Sequence, residues 1–184
     1  FHIYTIDEPK RTDDGGVDLD GLRIRSQPIY NSFFESLGAI PVSVPVPDVY
    51  TGLERHTFDG SGWPIVAIKD LSWDKFLRYR IDPGFFQTDL AVVVNPAKWD
   101  ALSDEAKTII NEASAEYEKT SYDNFQTMIS ETDKAVKDEG MQVITLEGDA
   151  AAKYLDGAYD SAWKRMKEAG SEHYDALRKA YYNR

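Results

Sequence analysis

The run Pro47-Asp48-Val49-Tyr50-Thr51-Gly52-Leu53-Glu54-Arg55, continued by Thr57-Phe58-Asp59-Gly60 and Ser61-Gly62-Trp63-Pro64, decides the reading of this chain, together with Gly21-Leu22-Arg23-Ile24-Arg25 upstream. Pro47 to Arg55 reads as a short helix, and Asp59 and Gly60 end it and shape the turn that follows. Gly21 to Arg25 alternates apolar and basic residues as a strand does, so Arg23 and Arg25 project to one face. A guanidinium offers two parallel N–H donors that match a carboxylate. Arg25 is therefore a candidate anion clamp, against the plainer reading of a surface arginine on an edge strand.

Outward from this stretch, strands and helices alternate. Residues 1–6 and Ile40 to Val44 alternate as strands, and Pro28 to Leu37 places Ile29, Phe33 and Leu37 on one helix face. Asp7 to Asp20 reads as a loop. A strand is expected around Pro64 to Ile68 and a helix or turn over Leu71 to Tyr79. Leu90-Ala91-Val92-Val93-Val94 is a continuous apolar run, expected as a strand covered on both faces. The alternation implies an α/β domain with a mixed or parallel sheet. From Ser103 the pattern becomes helical: Ser103 caps, Asp104 and Glu105 favour the first turn, and no proline interrupts the chain before Gly140. A helix of roughly 36 residues would measure about 54 Å. A strand at Met141 to Leu146 and helices over Asp149 to Ala169 and Ser171 to Tyr182 follow.

The chain has 184 residues, 42% hydrophobic and 29% charged, with a net charge of −11. That acidity disfavours nucleic acid as a partner, and an anion can bind only through a few well-placed cations. The absence of cysteine excludes disulfides, thiolate metal sites and thiol catalysis. The acidic loop Asp13 to Gly21 fails as a calcium hand, because Gly16 and Gln27 would stand at its two end ligands. No phosphate-binding, dinucleotide, zinc-protease or nucleophile-elbow motif is present. No cofactor and no metal are expected.

The strand, helix and turn resemble those of the solute receptors of TRAP transporters, the DctP-type extracytoplasmic binding proteins. That family carries a strand of the form G-L-K-I-R, a helix near E-V-Y-x-A-L-Q and a V-D-G turn. Asn95-Pro96-Ala97-Lys98-Trp99-Asp100-Ala101-Leu102-Ser103 resembles the family's N-K-x-x-W-D-x-L-P turn before its long helix. The resemblance implies a periplasmic binding protein-like, Venus-flytrap fold of type II, here lacking most of the first lobe. It divides the chain into a crossover strand and loop (1–20), ligand-binding lobe two (21–84), a return strand toward lobe one (85–102), a long inter-lobe helix (103–140) and a C-terminal strand and helices (141–184). It implies a periplasmic receptor that captures a small organic acid and delivers it to the integral membrane subunits of a TRAP transporter. It also implies that the chain either stays with a missing N-terminal lobe or self-associates.

Within that resemblance Arg25 is the residue that binds the substrate carboxylate, and Arg23 faces solvent or an acidic loop. Trp63 is the main departure, since the family's common form here is D-G-Q-E-N-P, with the asparagine reaching the ligand. Trp63 becomes either a stacking wall in the cleft, suited to a flatter acid than a polyhydroxylated sugar acid, or a tryptophan of the lobe-two core. His2 falls near a second arginine of the sialic-acid-type members, and a lone histidine there is also an ordinary incidental residue. Gln27 is placed for a ligand hydroxyl or carbonyl, Phe86 for the cleft near the hinge, and Asp89 for a buried polar contact; simple packing is the rival for each. Two other classes compete with the receptor. A carboxylate-handling enzyme on a similar α/β scaffold needs a base and nucleophile near Arg25, with only His2, His56 and His173 as histidines. A helical interaction protein would use Tyr117, Tyr122 and Phe125.

Overall fold

The computed structural model describes residues 1–88 and 90–182, so the contact expected of Asp89 lies outside the described residues. The strands are β1 (His2–Thr5), β2 (Lys10–Arg11), β3 (Val17–Asp18), β4 (Arg23–Ser26), β5 (Ile40–Ser43), β6 (Gly60–Trp63), β7 (Tyr79–Asp82) and β8 (Gln142–Thr145). The helices are α1 (Asn31–Ser36), α2 (Val46–Glu54), α3 (Pro96–Asp100), α4 (Asp104–Asp138), α5 (Gly148–Glu168) and α6 (Tyr174–Tyr181). The loop over Asp7 to Asp20 contains the small β2–β3 hairpin.

Six strands form one mixed sheet in the order β5-β4-β6-β1-β7-β8. β1 runs antiparallel to β6 and β7, while β4 is parallel to β5 and β6, and β7 to β8. Five strands thus run one way and β1 the other. Alternation along each strand then sorts the side chains between two faces. On one face Ile3, Ile24, Ile81 and Ile144 pack under Phe33 and Phe34 of α1 and Tyr154 and Ala158 of α5. On the other, Tyr4 packs with Val49 and Leu53 of α2, Phe58, Ile68, Trp73, Leu77, Met141 and Val136 of α4. This second face also carries a row of polar residues in register: Arg25 opposite Ser61, Ser61 opposite Tyr4, and Tyr4 opposite Arg80.

Two expectations give way. The strand expected around Pro64 to Ile68 lies instead at β6, Gly60–Trp63. Gly-Ser-Gly-Trp has little intrinsic strand preference, but it sits between β1 and β4 and takes its hydrogen bonds from both. Glycine is required at its start, where an added Cβ would stand 2.2 Å from the carbonyl oxygen of Tyr4. Among the described residues of 85–102 there is no strand, where one was expected: Leu90 and Val92 are 90% and 94% exposed. A central strand needs partners on both sides, and among the described residues none flanks Leu90 to Val94. β1 pairs with β7, a strand that the sequence reading did not anticipate.

The long helix forms as expected. α4 has 35 residues, Ser103 Oγ accepts from the Ala106 N–H at 3.2 Å, and Asp104 and Glu105 occupy the first turn. Val136, near its C-terminal end, is its buried residue, whereas Ile109, Ile110, Tyr117, Tyr122, Phe125, Met128 and Ile129 are exposed.

Candidate functional site

The C-terminal ends of the five parallel strands make one edge, where open α/β sheets place their ligands. Arg25 and Ser26 of β4, Trp63 of β6 and Asp82 of β7 end there, and His2 of β1 starts there. His2 faces Trp63 directly across the β1–β6 pair. The alternating Arg-Ile-Arg pattern turns Arg23 and Arg25 to the same face, but their surroundings differ.

Arg23 is partly exposed and paired with a carboxylate. Its guanidinium donates to Asp59 at 3.0 and 3.2 Å and to the His56 carbonyl at 3.0 Å. The Arg23 backbone N–H adds a bond to the Asp59 carboxylate at 2.8 Å. Burial works to raise the Asp59 carboxyl, but the bonds from Arg23 outweigh it and the pKa falls. Asp59 therefore pins the turn to β4, as expected of a shaping residue.

Arg25 is 1% exposed, and among the described residues no carboxylate forms an ion pair with it. Its Nε donates to the Val44 carbonyl at 3.2 Å, and the Tyr30 hydroxyl, which donates to the Gly62 carbonyl at 3.2 Å, lies beside it. The Arg25 Nη1 is buried without an acceptor among the described residues. The guanidinium carbon sits 5.1 Å from the centre of the Trp63 ring and 5.9 Å from that of Trp73. Burial lowers the Arg25 pKa, with Tyr30 opposing, yet an arginine remains charged. Burial likewise pushes the Tyr30 hydroxyl up to about 12. A buried charge without a counterion is unfavourable by several kcal/mol. The arrangement leaves Nη1 to donate to an oxygen of an anion.

The other sequence candidates distribute as follows. Trp63 is half-buried, its ring 4.8 Å from the Trp73 ring, and it touches both the core and Arg25. His2 Nδ1 lies 2.9 Å from Asp82 Oδ1, so its ring is already engaged. Asp82 is in turn held by Arg80, whose Nη1 stands 2.7 Å from Asp133 of α4. Gln27 follows the end of β4, and its carbonyl accepts from Tyr30 N–H at 3.1 Å. Phe86 is not brought against Arg25: its ring packs edge-on to Phe1 with the cluster on the opposite face of the sheet. Sequence reasoning missed Val44, Tyr30 and Trp73. They come from three separate places in the chain, just after β5, just before α1 and in the turn before β7, and only the aromatic character of Tyr30 and Trp73 offered a signal.

Among the described residues no group of three or more histidines and carboxylates could hold a metal, and no helix is long and apolar enough to cross a membrane. The family model of DctP, bacterial extracellular solute-binding protein, family 7, matches residues 16–169. The 2,3-diketo-L-gulonate-binding periplasmic protein YiaO of Escherichia coli K12 is 30% identical over 136 residues, covering 70% of this chain and 40% of that protein. The C4-dicarboxylate-binding periplasmic protein DctP of Rhodobacter capsulatus is 26% identical over 124 residues, covering 67% of this chain and 36% of that protein. A TRAP periplasmic solute binding protein from Desulfovibrio salexigens, solved with bound orotic acid, superposes with a TM-score of 0.82 over 98% of this chain and 57% of its own. Its sequence identity is 19%, so that likeness is one of fold. The chain spans about 40% of the length of the curated relatives it matches.

Proposed function

Because this chain belongs to the DctP family, bacterial extracellular solute-binding protein family 7, we propose that the whole protein is a periplasmic receptor for a small organic acid, which it delivers to the integral membrane subunits of a TRAP-type transporter. The observation that carries this reading is Arg25, a buried guanidinium with no carboxylate partner among the described residues, at the ligand-binding edge of the sheet. The two relatives are named for binding 2,3-diketo-L-gulonate and C4-dicarboxylates, and both ligands are carboxylates. In this reading residues 21–84 supply the ligand-binding lobe and 103–140 the helix that runs along both lobes. Residues 85–102 and 141–184 return toward the other lobe, and 1–20 enter from it.

Arg25 clamps the carboxylate, and Trp63 favours a flat or partly apolar acid over a polyhydroxylated one. His2 and Gln27 sit at the same edge to reach further polar groups of the ligand. The protein binds and releases its ligand unchanged; nothing in the surroundings of Arg25 favours the enzyme reading, since its neighbours are two indoles, a phenol and a backbone carbonyl.

Calorimetric titration of the whole receptor with a panel of C4-dicarboxylates and sugar acids tests the reading. Arg25→Lys keeps the charge and loses the two-pronged geometry, and should weaken binding by about 2–5 kcal/mol. Unchanged affinity in Arg25→Lys would remove Arg25 from the site and this reading with it.

A further inference from the structure

We infer that Trp63 is a gate on the anion site: its indole covers the Arg25 guanidinium and swings aside when a carboxylate binds. This rests on the reading of Arg25 as the carboxylate clamp. Arg25 and Trp73 are each 1% exposed, whereas Trp63, in contact with both, is only partly buried. Trp73 is thus the fixed floor of the site and Trp63 its movable roof. Trp63 is the last residue of β6, so its backbone is held against His2 while its side chain lies at the open edge.

A second observation shows that the covering position does not satisfy the indole. Its Nε1–H is buried and has no acceptor among the described residues. An indole N–H left without a partner is unfavourable, and rotation toward the edge returns it to water or to an acceptor on the ligand. The exchange is also favourable on the other side. A guanidinium attracts an aromatic face, but a two-pronged bond to a carboxylate is stronger. The arriving acid therefore takes the place of the ring on Arg25, and the displaced ring lies along the acid as its wall. Selection follows: a neutral solute has nothing with which to displace the ring.

The test is the reactivity of Arg25 toward phenylglyoxal, an arginine-selective dicarbonyl, measured on the whole receptor without added ligand by peptide mass spectrometry. Arg80, held inside by Asp82 and Asp133, is the internal reference. The wild type should modify Arg25 slowly. Trp63→Ala should raise that rate about tenfold, a factor between those of an exposed and a fully desolvated cation–π contact. Arg80 should be unchanged, and Trp63→Phe, which keeps an aromatic cover, should restore protection. Arg25 and Arg80 reacting faster together, or Arg25 reacting equally fast with and without the indole, would overturn the gate. Failure of the clamp reading is seen separately, as organic-acid affinity that survives Arg25→Lys.

Discussion

Replacing Asp82 by asparagine tests whether the polar row on the α2 side of the sheet stabilises the fold. The Asp82 carboxylate takes two bonds from Arg80, at 2.8 and 2.9 Å, and stands 2.9 Å from His2 Nδ1. Burial works to raise its pKa, but the bonds from His2 and Arg80 outweigh it and hold the carboxyl at about 2. An unfolded aspartate titrates near about 3.9, and each unit of difference corresponds to about 1.4 kcal/mol, so the ion pair contributes about 2.5 kcal/mol. Because the folded value is the lower one, this stability is present in full above about pH 4 and is lost as the pH falls through about 2. Arg80 keeps Asp133 as a partner in Asp82→Asn, so the variant should fold. Urea unfolding of both proteins, followed by circular dichroism, should show the wild type ahead by about 2–3 kcal/mol near neutral pH, with the gap closing between about pH 4 and about pH 2. A gap that stays constant down to about pH 2, or no gap at neutral pH, would refute the argument.

Two further outcomes follow from packing. Gly60→Ala places a Cβ 2.2 Å from the Tyr4 carbonyl oxygen and 2.9 Å from Ile24 Cδ1, so β1 and β6 must part; scanning calorimetry should show a loss of about 1–3 kcal/mol, and an unchanged Tm would show that the sheet relaxes freely. Leu90, Val92 and Val93 lie exposed, as do Ile109, Ile110 and Tyr117 of α4, and apolar surface of that extent is uncommon on a soluble monomer. The isolated 184-residue chain should therefore self-associate in light scattering, and Leu90→Glu with Val93→Glu should reduce the association; a wild-type chain monomeric at high concentration would contradict this.

The elements that could be read from sequence are those whose signals are local. α4 announces itself through the Ser103 cap, the acids of its first turn and an unbroken apolar spacing, and the 35 residues observed agree with the roughly 36 expected. The Arg23-Ile24-Arg25 alternation likewise gives β4 and the shared face of its arginines. β6 and β7 were not legible, because their strand character comes from neighbours far away in the chain: Gly62 pairs with Ile3, and Arg80 with Tyr4. Leu90 to Val94 misled for the opposite reason. Its composition suits a buried strand, but composition carries no information about whether a partner strand lies on either side. At the candidate site Arg25 could be found from its strand and from the family resemblance. Its surroundings could not: Tyr30, Val44 and Trp73 reach it from the start of a helix, a strand end and a turn. The pairing of His2 with Asp82, eighty positions apart, was equally invisible.

The anchoring of α4 has a mechanical consequence. The helix is fastened at one end, where Asp133 meets Arg80, Val136 enters the core, and Glu139 just beyond it pairs with Lys69. The rest is a rod about 44 Å long, stiffened by its own hydrogen bonds. A tilt of about 5° at the fastening would carry the far end about 4 Å over that length. The fastening is also the polar chain that runs from Asp133 through Arg80 and Asp82 to His2, the residue facing Trp63. α4 is thus a lever whose fulcrum lies at the sheet. The same tilt would move Ile109 and Ile110 by about 3 Å.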